Sequence, residues 1–249
     1  MNAIIIAAGS GKRISNNVKN MPKSLVKIND KTIIEYQLEV LKQVGVEDVF
    51  VITGPNSEKF QLNNVKYIKD QNYSKHDILG SLMEAKEFLK NDVLVFYSDI
   101  IFELKIIQQI LKSKNDIVIA VDMNWEKMYE GRTEHTALEA ENVQVNNLKK
   151  IIKIRKNIQD QKNNIGEFLG IMKFSPKGSE LFVKKYNELD KNHSGIFHQA
   201  SSLSKAYVTD MIQELVDSKI SVEPIFISGK WCEIDTMQDL KNAEKIFLC

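Results

Sequence analysis

The feature that most constrains the fold is an uninterrupted apolar run, Ala-Ile-Ile-Ile-Ala-Ala, at residues 3–8. A run without polar alternation predicts a strand buried on both faces, as at the centre of a parallel sheet. Further strand-like runs at 48–53, 93–97 and 117–121 alternate with segments of helical periodicity. This alternation predicts an α/β fold, with a Rossmann-like, mostly parallel mixed sheet flanked by helices.

The helices are predicted from apolar residues spaced three or four positions apart. They cover residues 32–44, 78–89, 104–111, 178–189 and 203–217, with a last helix after Thr236. The second half is less regular, with strand-like segments at 138–145, 149–154, 168–174 and 222–227 and a polar loop at 124–137. Because neither a repeat nor a linker interrupts the 249 residues, we expect a single domain, 1–249, with an elaborated second half.

The bulk composition argues against several classes of partner. The formal net charge is only +1, so no overall field favours nucleic acid or an anionic membrane. The longest apolar runs are strand-sized, and the first residues lack the pattern of an export signal. The two cysteines, Cys232 and Cys249, do not suggest a disulfide, because the second is the last residue. We therefore expect a cytoplasmic protein that binds neither nucleic acid nor a membrane.

A glycine-rich, basic loop follows the first strand and consists of Gly9, Ser10, Gly11, Lys12 and Arg13. The backbone N–H groups of such a turn can cradle phosphate, and adjacent cations add attraction. A dinucleotide fingerprint is excluded because Ile14 stands in place of its third glycine. A Walker P-loop is excluded because Arg13 follows the Gly-Lys pair where serine or threonine is required. The alternative is a tight surface turn with solvated lysines.

Two aspartates are candidates for holding a divalent cation. Asp99 follows the buried run at 93–97, at the carboxyl end of a strand, where open α/β sheets bind ligands. A carboxylate there can hold Mg²⁺, which prefers oxygen ligands. Asp235 lies just before the predicted last helix, where an aspartate is equally suited to be the helix N-cap. The residues alone leave both interpretations of Asp235 open.

The pattern Ala7-Ala8-Gly9-x-Gly11-x-Arg13, followed by Pro22-Lys23-Ser24-Leu25, resembles the nucleotidyltransferases that activate sugar phosphates and small phospho-compounds. Ser98-Asp99 and Asp235-Thr236-Met237-Gln238-Asp239-Leu240 resemble the two metal-binding segments of that family. The resemblance implies that the loop from Ala7 to Arg13, including Ala8, Gly9, Ser10, Gly11 and Lys12, wraps the nucleotide. It implies that Arg13 and Lys23 are the catalytic cations. Arg13 would face the β- and γ-phosphates, and Lys23 would face the α-phosphate and the acceptor. It also implies that Asp99 and Asp235 hold Mg²⁺.

The segments at 72–73 and 77–82 resemble the base-side part of small-molecule cytidylyltransferases, such as those for phosphocholine, aminoethylphosphonate and phosphoglutamine. Residues 95–102 resemble cytidylyltransferase domains fused to phosphonate-forming mutases. This resemblance implies that CTP is the nucleotide, that Ser81 lies near the nucleoside, and that the CDP-linked product modifies surface glycans. Many relatives carry asparagine where this chain has 76–77, so the base contact there stays open.

The polar loop at 124–137 is the candidate acceptor site, because it combines aromatic and charged side chains. An aromatic face beside a carboxylate suits an ammonium-bearing acceptor. The candidate acceptor-binding residues are Trp125, Tyr129, Arg132, His135 and Glu167, with Lys150 as a further candidate. The alternative is a surface loop whose aromatic rings pack onto the core. We expect a nucleotide-binding part at about 1–122 and an acceptor-binding part at about 123–249; a homodimer stays open.

Two rival functions remain at this point. The first is a sugar-1-phosphate nucleotidyltransferase that uses UTP, GTP or dTTP. The second is a non-catalytic regulator that binds a nucleotide without releasing pyrophosphate. The combination of Arg13, Lys23, Asp99 and Asp235 argues against a regulator, because a pure sensor does not need both aspartates. A dinucleotide-dependent dehydrogenase is disfavoured by Ile14.

Overall fold

The computed structural model describes residues 1–9, 14, 21–159 and 164–247. Its strands are β1 Asn2–Ala7, β2 Lys27–Ile28, β3 Lys31–Thr32, β4 Asp48–Thr53, β5 Lys66–Lys69, β6 Val93–Tyr97, β7 Ile100–Phe102, β8 Ile117–Asp122, β9 Glu141–Val145, β10 Ile151–Lys156, β11 Ile165–Phe174, β12 Glu223–Phe226 and β13 Trp231–Glu233. Its helices are α1 Ile33–Gln43, α2 Ile78–Met83, α3 Leu104–Leu111, α4 Pro176–Asn192, α5 Val208–Asp217 and α6 Met237–Ile246. None of these helices has both the length and the hydropathy needed to cross a bilayer.

Nine strands of the described residues form one sheet, in the order β10-β9-β11-β6-β1-β4-β5. Strand β8 pairs with the other edge of β11, and β12 pairs with β8. Strands β10 and β11 run opposite to the other seven, since β11 is antiparallel to β6, β8 and β9, whereas β1 is parallel to β4 and β6. The predicted mostly parallel mixed sheet is confirmed, and this single sheet runs through both halves of the chain.

The core lies in two apolar layers, one on each face of the sheet. In β1, Ile4 and Ile6 point to the layer that contains α2, α4 and α5. Ile5 and Ala7 point to the opposite layer, which contains α1 and α3. Each fully buried isoleucine contributes roughly 1.5–3 kcal/mol relative to an exposed one. The uninterrupted apolar run at 3–8 is therefore explained by burial from both sides, as predicted.

Three helices differ from their predicted bounds by more than one residue. Helix α4 is longer, at Pro176–Asn192 rather than 178–189. Helix α2 is shorter than the predicted 78–89, because the chain tightens into a 3₁₀ turn after it. Helix α5 begins at Val208 rather than at 203. Its start is fixed by Tyr207, whose backbone N–H donates to Asp210 Oδ2 at 2.8 Å. A local cap of this kind outweighs apolar periodicity in setting where a helix begins.

Candidate active site

A two-residue turn places Asp99 at the edge of the sheet. Strand β6 ends at Tyr97 and β7 begins at Ile100, so Ser98 and Asp99 form the turn between them. The buried Gln37 of α1 fixes this turn, because its Nε2 donates to the backbone oxygens of Tyr97 and Ile100, each at 2.8 Å. Asp99 therefore lies at the carboxyl end of a central strand, where ligands bind in open α/β sheets.

The pairing of β7 with β13 brings a late segment of the chain to the same point. Cys232 lies opposite Ile101 in this antiparallel pair. Just beyond β13, Ile234 N–H donates to the backbone oxygen of Asp99 at 2.8 Å. This hydrogen bond aligns the residue that follows, Asp235, with the turn that carries Asp99.

Asp235 is not the N-cap of the last helix, which was the alternative interpretation of that residue. The N-cap of α6 is Thr236, whose Oγ1 accepts a hydrogen bond from Asp239 N–H at 3.2 Å. In return, Asp239 Oδ2 accepts from the backbone N–H groups of Thr236 at 2.8 Å and Asp235 at 3.0 Å. This capping box holds the backbone of Asp235 while its carboxylate contacts Lys23 and His135.

Lys23 lies between the two aspartates. Its Nζ is 2.8 Å from Asp99 Oδ2 and 2.5 Å from Asp235 Oδ1. Burial alone would lower the pKa of Lys23, but the facing carboxylates outweigh burial and raise it above its usual value. Burial alone would raise the pKa of Asp235, but the hydrogen bond from His135 and the charge of Lys23 hold that pKa well below its usual range. The Lys23 ammonium is thus held between two carboxylates, and each charge stabilises the other.

The residues around this carboxylate pair fit a divalent cation. His135 Nδ1 lies 2.7 Å from Asp235 Oδ2, and Glu233 lies beside them. Burial, followed by the charges of Asp235 and Asp99, raises the pKa of Glu233 to about 7. One donor atom each from His135, Glu233 and Asp235 lies within 4.8 Å of the others. Because the aspartates already converge on a single ammonium group and oxygen donors predominate, this donor set suits Mg²⁺.

These groups line a cavity of about 710 Å³. Ala7, Ala8 and Gly9, which are predicted to bind the nucleotide, line it at the carboxyl end of β1. Of residues 10–20 only Ile14 is described, and it is buried at the cavity wall. The remaining predicted phosphate-binding residues lie outside the described residues: Ser10, Gly11, Lys12 and Arg13.

Ser81, which is predicted to lie near the nucleoside, is a buried part of the cavity wall. Its Oγ donates to Asp70 Oδ2 at 2.7 Å, and His76 Nε2 lies 2.8 Å from the same oxygen. The His76 ring packs directly on Gly80, where an added Cβ would lie 2.4 Å from His76 Cγ. Asp70 therefore holds both side chains, those of Ser81 and His76, in place at the cavity wall.

The structure separates the predicted acceptor-binding residues into two groups. His135 and Glu167 line the cavity. Trp125, Tyr129 and Arg132 are buried and are not among the described residues that line it. Of the predicted acceptor-binding residues in the polar loop at 124–137, His135 alone lines the cavity.

The buried group supports the cavity from behind. Trp125 Nε1 donates to a backbone oxygen of β11 at 3.1 Å. Arg132 Nε lies 2.8 Å from Asp239 Oδ1, which ties the loop to the start of α6. Tyr129 OH donates to Glu167 Oε1 at 2.5 Å. The aromatic rings of this loop are packed into the protein, as in the alternative interpretation.

One carboxyl oxygen of Glu167 lacks a hydrogen-bond partner among the described residues. This oxygen, Oε2, is buried. Burial, followed by the charge of Glu233, raises the pKa of Glu167 well above its usual value. A buried carboxyl oxygen without a partner in a cavity wall suits a polar atom of a ligand. The further candidate Lys150 lies elsewhere, in an ion pair with Glu223 at 2.7 Å.

One end of the cavity is formed by residues that no sequence motif distinguishes. That end is lined by Tyr97, Glu141, Lys156, Phe168 and Tyr207. Most of them stand at the first or last position of a strand, which is the only sequence signal that distinguishes them. Such positions are common on solvent-facing edges as well, so the signal becomes informative only when the strand order is known.

Comparisons with known proteins identify a family and several relatives of this chain. The profile of the MobA-like NTP transferase domain matches residues 3–157. The CTP:phosphoglutamine cytidylyltransferase of Campylobacter jejuni is 29% identical over 252 residues, covering 97% of this chain and 98% of the relative. The choline-phosphate cytidylyltransferase of Streptococcus pneumoniae is 36% identical over 107 residues, covering 41% of this chain and 47% of the relative. The solved structure of the CTP:phosphocholine cytidylyltransferase from Streptococcus pneumoniae shares the fold, with a TM-score of 0.72 at 23% identity over 98% of both chains.

Proposed function

Because this chain belongs to the MobA-like NTP transferase domain family, we propose that it is a cytidylyltransferase, which transfers CMP from CTP to a small phosphorylated or phosphonate acceptor and releases pyrophosphate. One observation carries the proposal. Lys23, Asp99 and Asp235 converge in a cavity that Ala7, Ala8 and Gly9 also line, at the end of β1. One cation and two carboxylates at that place suit nucleotidyl transfer, because the reaction must bring two anionic phosphates together.

The choice of CTP is supported by the relatives, two of which are cytidylyltransferases by name. In the proposal, the base of CTP lies against the wall that contains Ser81 and His76, which Asp70 holds from behind. The Ser81 hydroxyl already donates to Asp70, so its oxygen is left to accept a hydrogen bond from a ligand. This arrangement suits an amino group on the base.

In the proposed reaction, an oxygen of the acceptor phosphate attacks the α-phosphorus of CTP. The bond from that phosphorus to the oxygen bridging to the β-phosphate breaks, and pyrophosphate leaves with its electron pair. A phosphate monoester is largely dianionic near neutral pH, because its second pKa is about 6, so no general base is needed. Lys23 neutralises charge at the α-phosphate, and we assign Arg13 to the β- and γ-phosphates. Positioning and electrostatics carry displacements of this kind.

Asp99 and Asp235 would hold Mg²⁺ in this scheme, with Glu233 as a further carboxylate beside them. When bound, the ion would supply positive charge to the α-phosphate and the acceptor phosphate. His135 donates to Asp235 Oδ2 and so keeps that carboxylate turned toward the site. Asp235 is buried, and charges that are buried interact more strongly than charges in bulk water.

The acceptor class in the proposal is a small amino-bearing compound: phosphocholine, 2-aminoethylphosphonate or an amino-acid phosphate such as glutamine phosphate. The product would then be a cytidine-linked precursor for capsule or other surface-glycan modification. The whole-length similarity to a phosphoglutamine cytidylyltransferase supports this class.

A panel of nucleotides and acceptors tests the proposal. Purified protein with Mg²⁺ is given CTP, UTP, GTP or dTTP, each with phosphocholine, 2-aminoethylphosphonate, glutamine phosphate or glucose 1-phosphate. Pyrophosphate release is measured, and products are weighed by mass spectrometry. We expect release with CTP and an amino-bearing acceptor, and a matching cytidine-linked product. Release only with a sugar phosphate and another nucleotide would favour the sugar-1-phosphate rival. Nucleotide binding with no release from any pair would favour the non-catalytic regulator.

A further inference from the structure

One end of the cavity forms where β11 changes partners. Strand β11 pairs with β6 over Ile171–Phe174 and with β9 over Ile165–Glu167. Between these two pairings the strand is irregular and contains Gly170, at φ +67°. A Cβ on Gly170 would lie 2.4 Å from the ring of Tyr97, so the missing side chain makes room for that ring. Tyr97, the last residue of β6, and Glu141, the first of β9, are therefore neighbours along one edge of β11.

This arrangement presents the Glu141 carboxylate to the cavity. Its Oε2 accepts a hydrogen bond from Tyr97 OH at 3.2 Å. The Phe168 ring packs edge-on against the Tyr97 ring, with centroids 5.8 Å apart. Lys156 stands directly opposite Glu141 on β10, but its Nζ lies 4.3 Å from the centroid of the Tyr207 ring. The Lys156 ammonium thus lies over an aromatic face, while Glu141 lines the cavity.

We propose that Glu141, flanked by the rings of Tyr97 and Phe168, is the subsite that binds an ammonium group on the acceptor. This inference rests on the proposed function, because it assigns one end of the same cavity to the acceptor. The carboxylate supplies the opposite charge, and the neighbouring rings supply the apolar surface that ammonium groups also favour. Lys156 adds a positive charge at the same end, so an acceptor that carries both an ammonium group and an anionic group fits there.

The energetics of Glu141 agree with this role. Burial raises its pKa to about 8, although the charge of Lys156 acts in the opposite direction. Burial disfavours the ionised form of a carboxylate, because it removes hydration. A cationic ligand replaces that hydration, so it stabilises a buried carboxylate more than a solvated carboxylate. A cationic ligand would therefore restore the ionised form of Glu141.

The aromatic residues of the polar loop at 124–137 are less suited to the same task. The Arg132 guanidinium lies 4.5 Å from the centroid of the Tyr129 ring, so a cation of the protein already occupies that face. Glu167 is the competing carboxylate, because its Oε2 is unmatched. Its other oxygen is held by Tyr129, behind the cavity wall. Replacing each glutamate in turn separates their contributions.

The test compares two probes of the same shape: phosphocholine, and 3,3-dimethylbutyl phosphate, in which carbon replaces the ammonium nitrogen. Their affinities for the full chain are measured by calorimetry at pH 8, with CTP affinity as a control for the rest of the cavity. We expect Glu141→Gln to weaken phosphocholine binding about tenfold or more. The affinities for 3,3-dimethylbutyl phosphate and for CTP should stay within about twofold of the wild-type values. Glu134→Gln, at an exposed carboxylate of the polar loop, should change none of the three.

A second variant covers the case in which Glu141→Gln does not fold. Tyr97→Phe removes only the hydroxyl that holds the carboxylate, and we expect a smaller loss confined to phosphocholine. Equal losses for both probes would overturn the inference, and so would discrimination that disappears in Glu167→Gln but persists in Glu141→Gln. Because binding is measured without turnover, failure of the proposed function is distinguishable. A wild-type protein that discriminates the probes but releases no pyrophosphate would refute cytidylyl transfer and retain the ammonium subsite.

Discussion

Lys23 Nζ lies 2.5 Å from Asp235 Oδ1, although 212 positions separate the two residues in the chain. The same amine lies 2.8 Å from Asp99 Oδ2. Three segments that are distant in the chain therefore meet at one point. They are the 3₁₀ turn at Lys23–Leu25, the turn after β6 and the residues at the start of α6. The short β7–β13 pair makes this meeting possible, because it places the last two segments side by side.

Replacing Lys23 tests whether its ammonium group offsets the repulsion between the carboxylates of Asp99 and Asp235. In Lys23→Met the carboxylates of Asp99 and Asp235 face each other without a cation, which we expect to destabilise the fold by on the order of 3 kcal/mol. Mg²⁺ should then raise the melting temperature more than it does in the wild type, and turnover should fall at least about a hundredfold. Thermal melts with and without Mg²⁺ measure the first effect, with Lys66→Met, an exposed ion-pair lysine, as control. An unchanged melting temperature in both conditions would contradict the assigned contacts.

Replacing His135 tests its role in orienting Asp235. His135→Phe removes the donor to Asp235 Oδ2 and should raise the Mg²⁺ concentration for half-maximal turnover by roughly 10- to 100-fold. His135→Asn retains a short donor and should recover part of the loss. His198→Phe is the control, because His198 contacts Glu214 on the surface. A Mg²⁺ requirement that stays the same in His135→Phe would show that Asp235 needs no such support.

Replacing Gly170 tests the close approach of Tyr97. Gly170→Ala combines a left-handed backbone, which costs about 1–2 kcal/mol for an L-residue, with a clash against the Tyr97 ring. Gly195→Ala has the first effect alone, because Gly195 is at φ +86° and an added Cβ meets nothing within 4 Å. We expect chemical denaturation to show that Gly170→Ala is less stable than Gly195→Ala by roughly 1–3 kcal/mol. Equal losses would mean that the ring does not depend on the glycine.

The pKa of Glu141 predicts how the affinity for an ammonium-bearing acceptor depends on pH. That pKa is raised to about 8, so below pH 8 a proton must leave before the carboxylate can pair with a cation. Phosphocholine affinity should therefore rise between pH 7 and pH 8, by at most about tenfold per unit, and level off above. The probe itself changes little there, because its phosphate has a pKa of about 6 and its ammonium does not titrate.

Other groups around Glu141 also carry charge, and a variant isolates its contribution. Tyr97, Lys156, Glu233 and Asp99 all influence Glu141, and the pKa of Glu233 is itself raised to about 7. The difference between the wild-type and Glu141→Gln profiles is therefore the quantity to measure, by calorimetry across pH 6.5–9. Parallel profiles for the two proteins would refute the assigned titration.

The sequence predicted the parts of this fold that local patterns determine. The buried run at 3–8 led directly to the central strand β1, because only burial on both faces tolerates such a run. The capping residues of α1 were also evident, since Thr32 and Glu35 interact within one turn. The start of α5 was not, because Tyr207 and Asp210 set it through a cap that apolar periodicity does not reveal.

The site was predictable only in part, for the same reason. The proximity of Asp99 and Asp235 depends on three-residue strands that carry almost no pattern of their own, so it followed from the family resemblance rather than from periodicity. The rings of the polar loop gave an ambiguous signal, because whether Trp125 is buried depends on a strand 40 positions later. Glu141 gave no signal, since a glutamate at the start of a strand is usually solvated.

The most direct test of the central claim is the rate of pyrophosphate release by Asp99→Asn and Asp235→Asn, at ordinary Mg²⁺ and with the best nucleotide and acceptor of the panel. Both changes keep the shape of the side chain and remove only its charge, and Asp48→Asn at an exposed carboxylate is the control. The account predicts that each site variant folds like the wild type and loses at least about a hundredfold in turnover, while the control keeps full activity. Near-normal turnover in either site variant would contradict it.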